Sequence, residues 1–529
     1  MAYSRKRKKI IAKLDDLEDG EMKEVNIGEK SILLVRINGK VHAVGAKCSH
    51  YGAPLVKGIL HGRRVLCPLH QACFDVLSGN IEEPPALDAL PHFDLRVEEE
   101  NIIVSLPRDV NDWRTVPMAR YNPEKDGRSF VIIGAGAAGH VAAETLRQVG
   151  FQGRVVMVTR EKRLPYDRSQ LSKLYLKTNQ SNTPTLRPER FYADHDIEIL
   201  MESEVVRVNP SGKTVLFQDG SSLNYDRLLL ASGGIPRRLE VPGAELPGIL
   251  VLRSLDDANQ IKAMADKASR VVVIGASFIG MEAAASLTQC GLSVTIVAPE
   301  SIPFDRILGE EIGRMYQKIH EKNNVSFKLG TQVTRFEGAD KVQSVILNNG
   351  DRLQTDFVLL GIGVQPATKF LNGVELNPDG SVPVDRHLRV SEDLYAAGDI
   401  VNFIDWRTDE RIRMEHWRLA QQHGRIAAKN MAGQEAQFCS MPFFWTTQFG
   451  VSLRYVGCVK DWNEIIFQGS ISTRNFVAFY VKQGEVLAVA GCGQDVVVAA
   501  AAELMRINRM PTPKELRRDS IDLVRRLKE

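Results

Sequence analysis

The sequence predicts a multidomain chain: a small all-β module, two copies of a doubly wound α/β unit, and a C-terminal α+β domain. Three observations carry this. Short runs rich in Val, Ile and Leu, separated by turn residues, fill positions 25–106. A strand–glycine turn–helix–strand pattern begins at Phe130 and recurs from Arg270. The length, 529 residues, accommodates three or four domains at about 150 residues each.

Composition narrows the class. With 44% hydrophobic and 25% charged residues, the chain is an ordinary globular protein and not a disordered one. No apolar run reaches the ~18 residues of a membrane span. Sixty-eight basic against 65 acidic side chains leave a formal charge of +3, which argues against specific nucleic-acid binding. The basic run Arg5–Lys9 is read as a solvated tail, because no apolar signal core follows it. Seven cysteines, an odd number, do not make a disulfide scaffold. A reducing, cytoplasmic setting is expected.

The all-β module comes first. Strands are expected at 25–27, 31–37, 41–44, 64–66 and 102–106, with Asn38-Gly39 as a hairpin turn. Two loops interrupt them, Cys48-Ser49-His50 and Cys67-Pro68-Leu69-His70, with sixteen residues between. Two thiolates and two imidazoles suit a tetrahedral zinc ion. They equally suit a 2Fe-2S cluster with Cys48 and Cys67 on one iron and His50 and His70 on the other. The surrounding CSHYGAPL and CPLHQACFD segments resemble the ligand loops of Rieske proteins, and that resemblance favours the cluster. In high-potential members of that family an extra disulfide joins the loops. Ala53 and Leu69 stand at those positions here, which implies the lower-potential, ferredoxin-like branch.

The first α/β unit reads as strand 130–133, the turn Gly134-x-Gly136-x-x-Gly139, a helix through Val149 and strand 155–158, with Glu161 beyond. The first glycine permits the tight turn, the second lets backbone approach a pyrophosphate, and the third packs helix on strand. The helix N-terminus offers N–H groups to phosphate. The second unit repeats this 141 residues later with Gly275-x-Ser277-x-x-Gly280, strand 294–297 and Glu300. Two such Rossmann-like units imply two dinucleotides. Many NADH-binding relatives carry a Glu at the end of the second strand, where Ala298 stands here; Glu300 is the substitute for the ribose hydroxyls, and no Arg follows at once to take a 2′-phosphate. NADH is therefore expected, with NADPH the alternative.

The segment LPYDRSQLSKLYL resembles the flavin-side loop of ferredoxin-reductase-like pyridine nucleotide–disulfide oxidoreductases, which have the glutathione-reductase-like fold. That resemblance implies FAD in the first unit, on Gly134, Gly136, Ala138, Gly139 and Glu161, with Arg168 and Lys173 beside the flavin. It further implies a Lys173–Glu282 ion pair at the nicotinamide site, Gly363 near the nicotinamide, and Gly398 and Asp399 closing the FAD site. Trp417 and Trp445 match aromatic segments that line the flavin. Gly275, Ser277, Gly280, Glu282 and Glu300 are the NAD(P)H residues. The order of all these motifs resembles Rieske-containing apoptosis-inducing-factor-like proteins of the factor 3 type, most like their bacterial members.

The expected organisation is a Rieske domain at 1–107, a linker at 108–128, and FAD-binding segments at 129–253 and 377–440. These segments enclose an NAD(P)H-binding domain at 254–376, and a C-terminal domain follows at 441–529. No second cysteine pair has redox spacing, so disulfide-reductase chemistry is excluded, and Cys73, Cys290, Cys439, Cys458 and Cys492 are expected in the core. The implied activity is electron transfer from NADH through FAD to the built-in cluster and on to an external protein or small-molecule acceptor. A flexible linker would let the His50/His70 edge visit both flavin and acceptor. A redox-sensing interaction protein and a reductase component of an oxygenase or nitrite reductase system are the alternatives. Self-association into a homo-oligomer is compatible with each.

Overall fold

The computed structural model describes residues 7–106, 111–177, 183–518 and 520–529. Arg5, Lys6, the last residue of the first expected domain, Pro107, and the start of the linker, 108–110, lie outside the described residues. The rest of the basic run is not a free tail. It opens strand Arg7–Lys13, which pairs antiparallel with Asn101–Leu106. The strand forms because Ile11 and Ala12 pack against the core of that sheet.

The N-terminal module is built from three antiparallel sheets. Asn38 and Gly39 both take left-handed backbone, at φ 51° and 74°, as a two-residue hairpin of this twist requires. They join strands Lys30–Ile37 and Lys40–Gly45. Strands Ile59–His61, Arg64–Leu66, Cys73–Asp75 and Ile81–Glu83 form a four-stranded sheet that carries the second cysteine loop.

The two α/β domains repeat one plan. In the first, strands Ile197–Leu200, Arg154–Val158, Ser129–Ile133, Arg227–Leu230 and Leu394–Ala396 lie parallel in that order. In the second, the parallel order is Ile249–Val251, Phe357–Leu360, Arg270–Ile274, Ser293–Ala298 and Ser326–Leu329. Each carries a three-stranded antiparallel meander, at 205–224 and 333–354. The central strands are buried on both faces, which is why they read as unbroken apolar runs.

The glycine turns are geometrically equivalent. Gly134 and Gly275 have φ 111° and 109°, and a Cβ on either would strike a backbone carbonyl, of Ala231 or Gly361, at 2.2 and 2.3 Å. Helices Ala137–Gln148 and Phe278–Gln289 follow. At Gly139 and Gly280 a Cβ would lie 1.8 and 2.1 Å from the carbonyl of the first glycine. The C-terminal domain is a five-stranded antiparallel sheet with helices Asp495–Arg506, Pro513–Arg518 and Leu523–Lys528.

Two expectations need correction. The linker is laced to both neighbours: Ala89 and Arg114 exchange backbone hydrogen bonds at 2.8 Å, and the N–H groups of Ala119 and Asn122 donate to Arg147 and Gln152 at 2.8 Å. Its polar, proline-bearing sequence lacks regular structure but not partners. The spare cysteines are not all core. Cys73 and Cys492 are buried, Cys458 is half-buried, and Cys290 and Cys439 are exposed. Cys290 stands just past the helix end at Gln289, ahead of a left-handed Gly291, and so leaves the core face.

The close approach at Gly139 yields a test. Gly139→Ala should cost about 1–3 kcal/mol through overpacking and lower the flavin content of purified protein. A wild-type flavin-to-protein absorbance ratio and melting temperature would contradict this packing account.

Candidate redox site

The two cysteine loops have the same local construction. Cys48 N–H donates to Ala53 C=O at 2.8 Å and Cys67 N–H to Ala72 C=O at 2.9 Å. Four residues after each cysteine stands a left-handed residue, Gly52 and Gln71, whose N–H returns to the cysteine carbonyl at 2.8 and 3.0 Å. The two loops thereby bring cysteine beside cysteine and histidine beside histidine. The N–H groups of His50 and Tyr51 hydrogen-bond Cys48 Sγ, and those of Leu69 and His70 hydrogen-bond Cys67 Sγ. The two sulfurs hydrogen-bond each other, which raises the Cys48 thiol pKa and lowers that of Cys67.

On the other side, His50 Nδ1 and His70 Nδ1 stand 3.2 Å apart. Two nitrogens on one tetrahedral metal at about 2.1 Å would be roughly 3.4 Å apart. Burial pulls both imidazoles down, His50 to about 4 and His70 to about 2, so each is neutral at pH 7, the form that ligates metal. Among the described residues, no three His, Cys, Asp or Glu side chains gather as for a single ion. A sulfur pair beside a nitrogen pair is the donor set of a two-iron cluster with the thiolates on one iron and the imidazoles on the other.

The first glycine turn fits a pyrophosphate. Gly139 and Gly134 are closed in by backbone, but nothing lies within 4 Å of where a Cβ on Gly136 would stand. Ala138 is buried, with its carbonyl 2.1 Å from where a Cβ on Gly424 would lie. At the position of the second unit that matches Gly136, Ser277 is exposed at the helix start. Glu300 is half-buried beyond strand Ser293–Ala298. Gly363 has φ 85°, again with open space before it.

The charged side chains between the units form a connected set. Lys173 Nζ lies 2.8 Å from Glu282 Oε2 and donates to Ser169 C=O at 3.1 Å. Glu282 is buried and also accepts from Ser172 Oγ and Thr446 Oγ1, at 2.5 and 2.7 Å. Glu161 is engaged within the flavin-side loop. It pairs with Arg168 and accepts from Tyr166 Oη at 2.7 Å. Burial raises its pKa, but Arg168 prevails and the net shift is downward. Asp399 accepts from Arg253 Nη2 at 2.8 Å, and Gly398 N–H donates to His423 Nδ1 at 3.3 Å. Trp417 opens the helix that runs to Met431. Trp445 lies on strand Phe443–Gln448.

These two groups of residues meet. The His70 ring packs against Trp445, with 4.4 Å between centroids. Tyr51, stacked on His50, donates to Asp167 Oδ2 at 2.6 Å and accepts from Gln170 Nε2 at 3.0 Å. The histidine edge therefore faces the flavin-side loop and the Trp445 strand. Arg187 bridges Glu144 of the first α/β domain to Asp88 of the module, at 2.9 and 2.8 Å. Tyr51, Arg187, Arg253 and Thr446 were not singled out in the sequence, nor were Arg418 and Arg454, which donate to the carbonyls of Gln71 and Leu69 on either side of His70. Tyr51, adjacent to His50, carried the one usable signal.

A fold with two dinucleotide units, a Lys–Glu pair between them and a cysteine–histidine loop pair at their edge defines a flavin- and NAD(P)-dependent oxidoreductase with its own Rieske 2Fe-2S domain. Three family models match: Rieske [2Fe-2S] domain over residues 7–94, pyridine nucleotide-disulphide oxidoreductase over 128–424, and reductase C-terminal over 443–527. The chain belongs to the pyridine nucleotide-disulphide oxidoreductase family, in its Rieske-bearing form. It is 41% identical to apoptosis-inducing factor 3 of Homo sapiens over 517 residues, covering 96% of this chain and 85% of that protein. Rhodocoxin reductase of Rhodococcus erythropolis is 32% identical, covering 75% of this chain and 93% of its own. Among solved structures, the ferredoxin reductase for the CYP199A2 system from Rhodopseudomonas palustris matches with TM-score 0.72 and 31% identity, covering 75% of this chain and 99% of that one. The covalent putidaredoxin reductase–putidaredoxin complex matches with TM-score 0.70 and 30% identity, covering 76% and 98%. No helix among the described residues is long and apolar enough to cross a membrane.

The Arg187 bridge should make docking acid-labile. Burial raises Glu144, but His140 and Arg187 beside it hold its pKa down at about 2, against an ordinary 4.5. A depressed carboxylate stabilises the fold above 4.5, and that contribution disappears as pH falls toward 2. Thermal melts between pH 5 and 2 should lose stability across that window, and Glu144→Gln should flatten the loss. Parallel curves for the two proteins would exclude the bridge as the cause.

Proposed function

We propose that the chain is an NADH-dependent reductase in which Cys48, Cys67, His50 and His70 hold the 2Fe-2S cluster, with electrons leaving to a separate acceptor. The observation that carries this reading is the contact between His70 and Trp445. A proposed cluster ligand touches a residue proposed to line the flavin, so the two redox sites share a wall. FAD supplies two-electron chemistry toward nicotinamide and one-electron chemistry toward an iron–sulfur centre.

The residues have separable tasks. The turn Gly134–Gly139 and the N-terminus of its helix receive the FAD pyrophosphate, and Asp399, fixed by Arg253, closes the far side. Lys173 supplies positive charge where a reduced flavin would carry negative charge, and Glu282 and Ser169 orient it. Glu282 is itself held by Ser172 and Thr446, so the ammonium has one well-defined position. Gly275, Ser277, Gly280 and Gly363 form the nicotinamide dinucleotide cradle. Glu300 is the available acid for ribose hydroxyls, which favours NADH over NADPH. Arg168, engaged by Glu161, braces the flavin-side loop.

The acceptor belongs to the class of one-electron partners. Rhodocoxin reductase and the putidaredoxin reductase complex carry such partners in their names, and both resemble this chain over its flavoprotein portion. In this chain His70 is buried and His50 half-buried against the flavoprotein, so an external acceptor would meet another face of the module.

Cys67→Ser should remove the Rieske absorption and EPR signal and leave FAD bound. NADH-to-dye reduction should persist, and reduction of acceptors served by the cluster should fall by at least tenfold. Unaltered activity with every acceptor would defeat the relay.

A further inference from the structure

Two buried arginines from outside the module hold the second cysteine loop. Arg454, on strand Val451–Gly457 of the C-terminal domain, donates from Nε to Leu69 C=O at 3.2 Å. Arg418, on the helix Trp417–Met431, donates from Nη2 to Gln71 C=O at 3.1 Å, and from Nε and Nη1 to Pro84 and Met441 at 2.8 and 3.0 Å. Leu69 and Gln71 are the two neighbours of His70. Both arginine side chains are less than 10% exposed, so solvent screens their charge weakly. Arg418 has Glu83 at 3.6 Å, and Arg454 has Asp495 at 3.1 Å.

We propose that Arg454, with Arg418, is a positioning residue that sets the reduction potential of the cluster from across the domain interface. The inference rests on the ligand set proposed above. Adding one electron to a cluster held by two thiolates and two neutral imidazoles increases its negative charge. A cation fixed one residue from a ligand stabilises that reduced state and raises the potential. The module alone lacks both cations, so docking and electron affinity are coupled: the cluster accepts an electron most readily where the flavoprotein holds it. Asp495 opposes Arg454. It is the more exposed partner, at 27% against 9% for the side chains, so it cancels only part of the charge.

The test is a redox titration of the FAD-loaded, cluster-loaded full chain, read by the Rieske EPR signal. Arg454→Met should lower the cluster's equilibrium share of electrons by about tenfold, or 59 mV for a one-electron couple. Arg454→Lys, which keeps the charge and loses the fork, should stay within about threefold of wild type on the same scale. Asp495→Asn, which bares the guanidinium, should move the potential upward. If Arg454→Lys falls as far as Arg454→Met, or Asp495→Asn does not move upward, the charge is not what acts and the proposal fails. A wild-type chain with no Rieske signal would instead overturn the ligand assignment.

Discussion

The His70 segment is held from both sides by protein that is not part of its own domain. Its loop carbonyls are acceptors that the short turn Cys67–Gln71 leaves without strand partners, and buried carbonyls without donors cost about 1–3 kcal/mol each. Arg454 supplies a donor to Leu69 and Arg418 to Gln71, and Arg418 also serves the carbonyls of Pro84 and Met441, so it ties together three regions of the chain. Removing such a cation exposes several deficits together, so the position of the module on the flavoprotein is tightly specified. The apolar contribution runs parallel. Ile59, Leu66 and Cys73 of the module share one hydrophobic cluster with Phe443, Val489 and Val498 of the C-terminal domain. The module and the reductase are therefore continuous at the level of packing.

That continuity changes how the redox groups relate. A module on a mobile tether would need to search for each donor and acceptor in turn. Here Tyr51, Asp167, His70 and Trp445 place the histidine edge against the flavin-side loop in a fixed geometry. Proximity of this kind substitutes for diffusion. The charge set between the two α/β units has a similar logic. Glu282 satisfies Lys173, Ser172 and Thr446 together, and a fully satisfied buried network specifies one arrangement where a partly satisfied one would not.

The duplicated units show how one backbone solution serves two ligands. Gly134 and Gly275, and Gly139 and Gly280, meet nearly identical steric demands. The middle position faces open space, and there the sequence diverges to Gly136 and Ser277. Residues that answer to the fold are thereby separated from residues that answer to the ligand.

The sequence by itself determined the domain order, the two glycine turns and the cysteine–histidine pairs. Each of these depends on short-range geometry: a left-handed turn, a helix start, a thiolate and an imidazole two or three residues apart. It also placed Lys173 opposite Glu282 through family resemblance, although the two are over a hundred residues apart. Local pattern could not show that Glu161 is occupied by Arg168, that residues 111–128 are laced to their neighbours, or that Cys290 faces solvent. Nor could it show that Arg187, Arg418 and Arg454 reach across domains, because an arginine in a helix or strand reads as surface charge until its partner is known. Those facts were decided only by tertiary packing: the partners of Arg187, Arg418 and Arg454 include groups from 43 to 385 residues away, and their selection leaves no periodic trace in the chain.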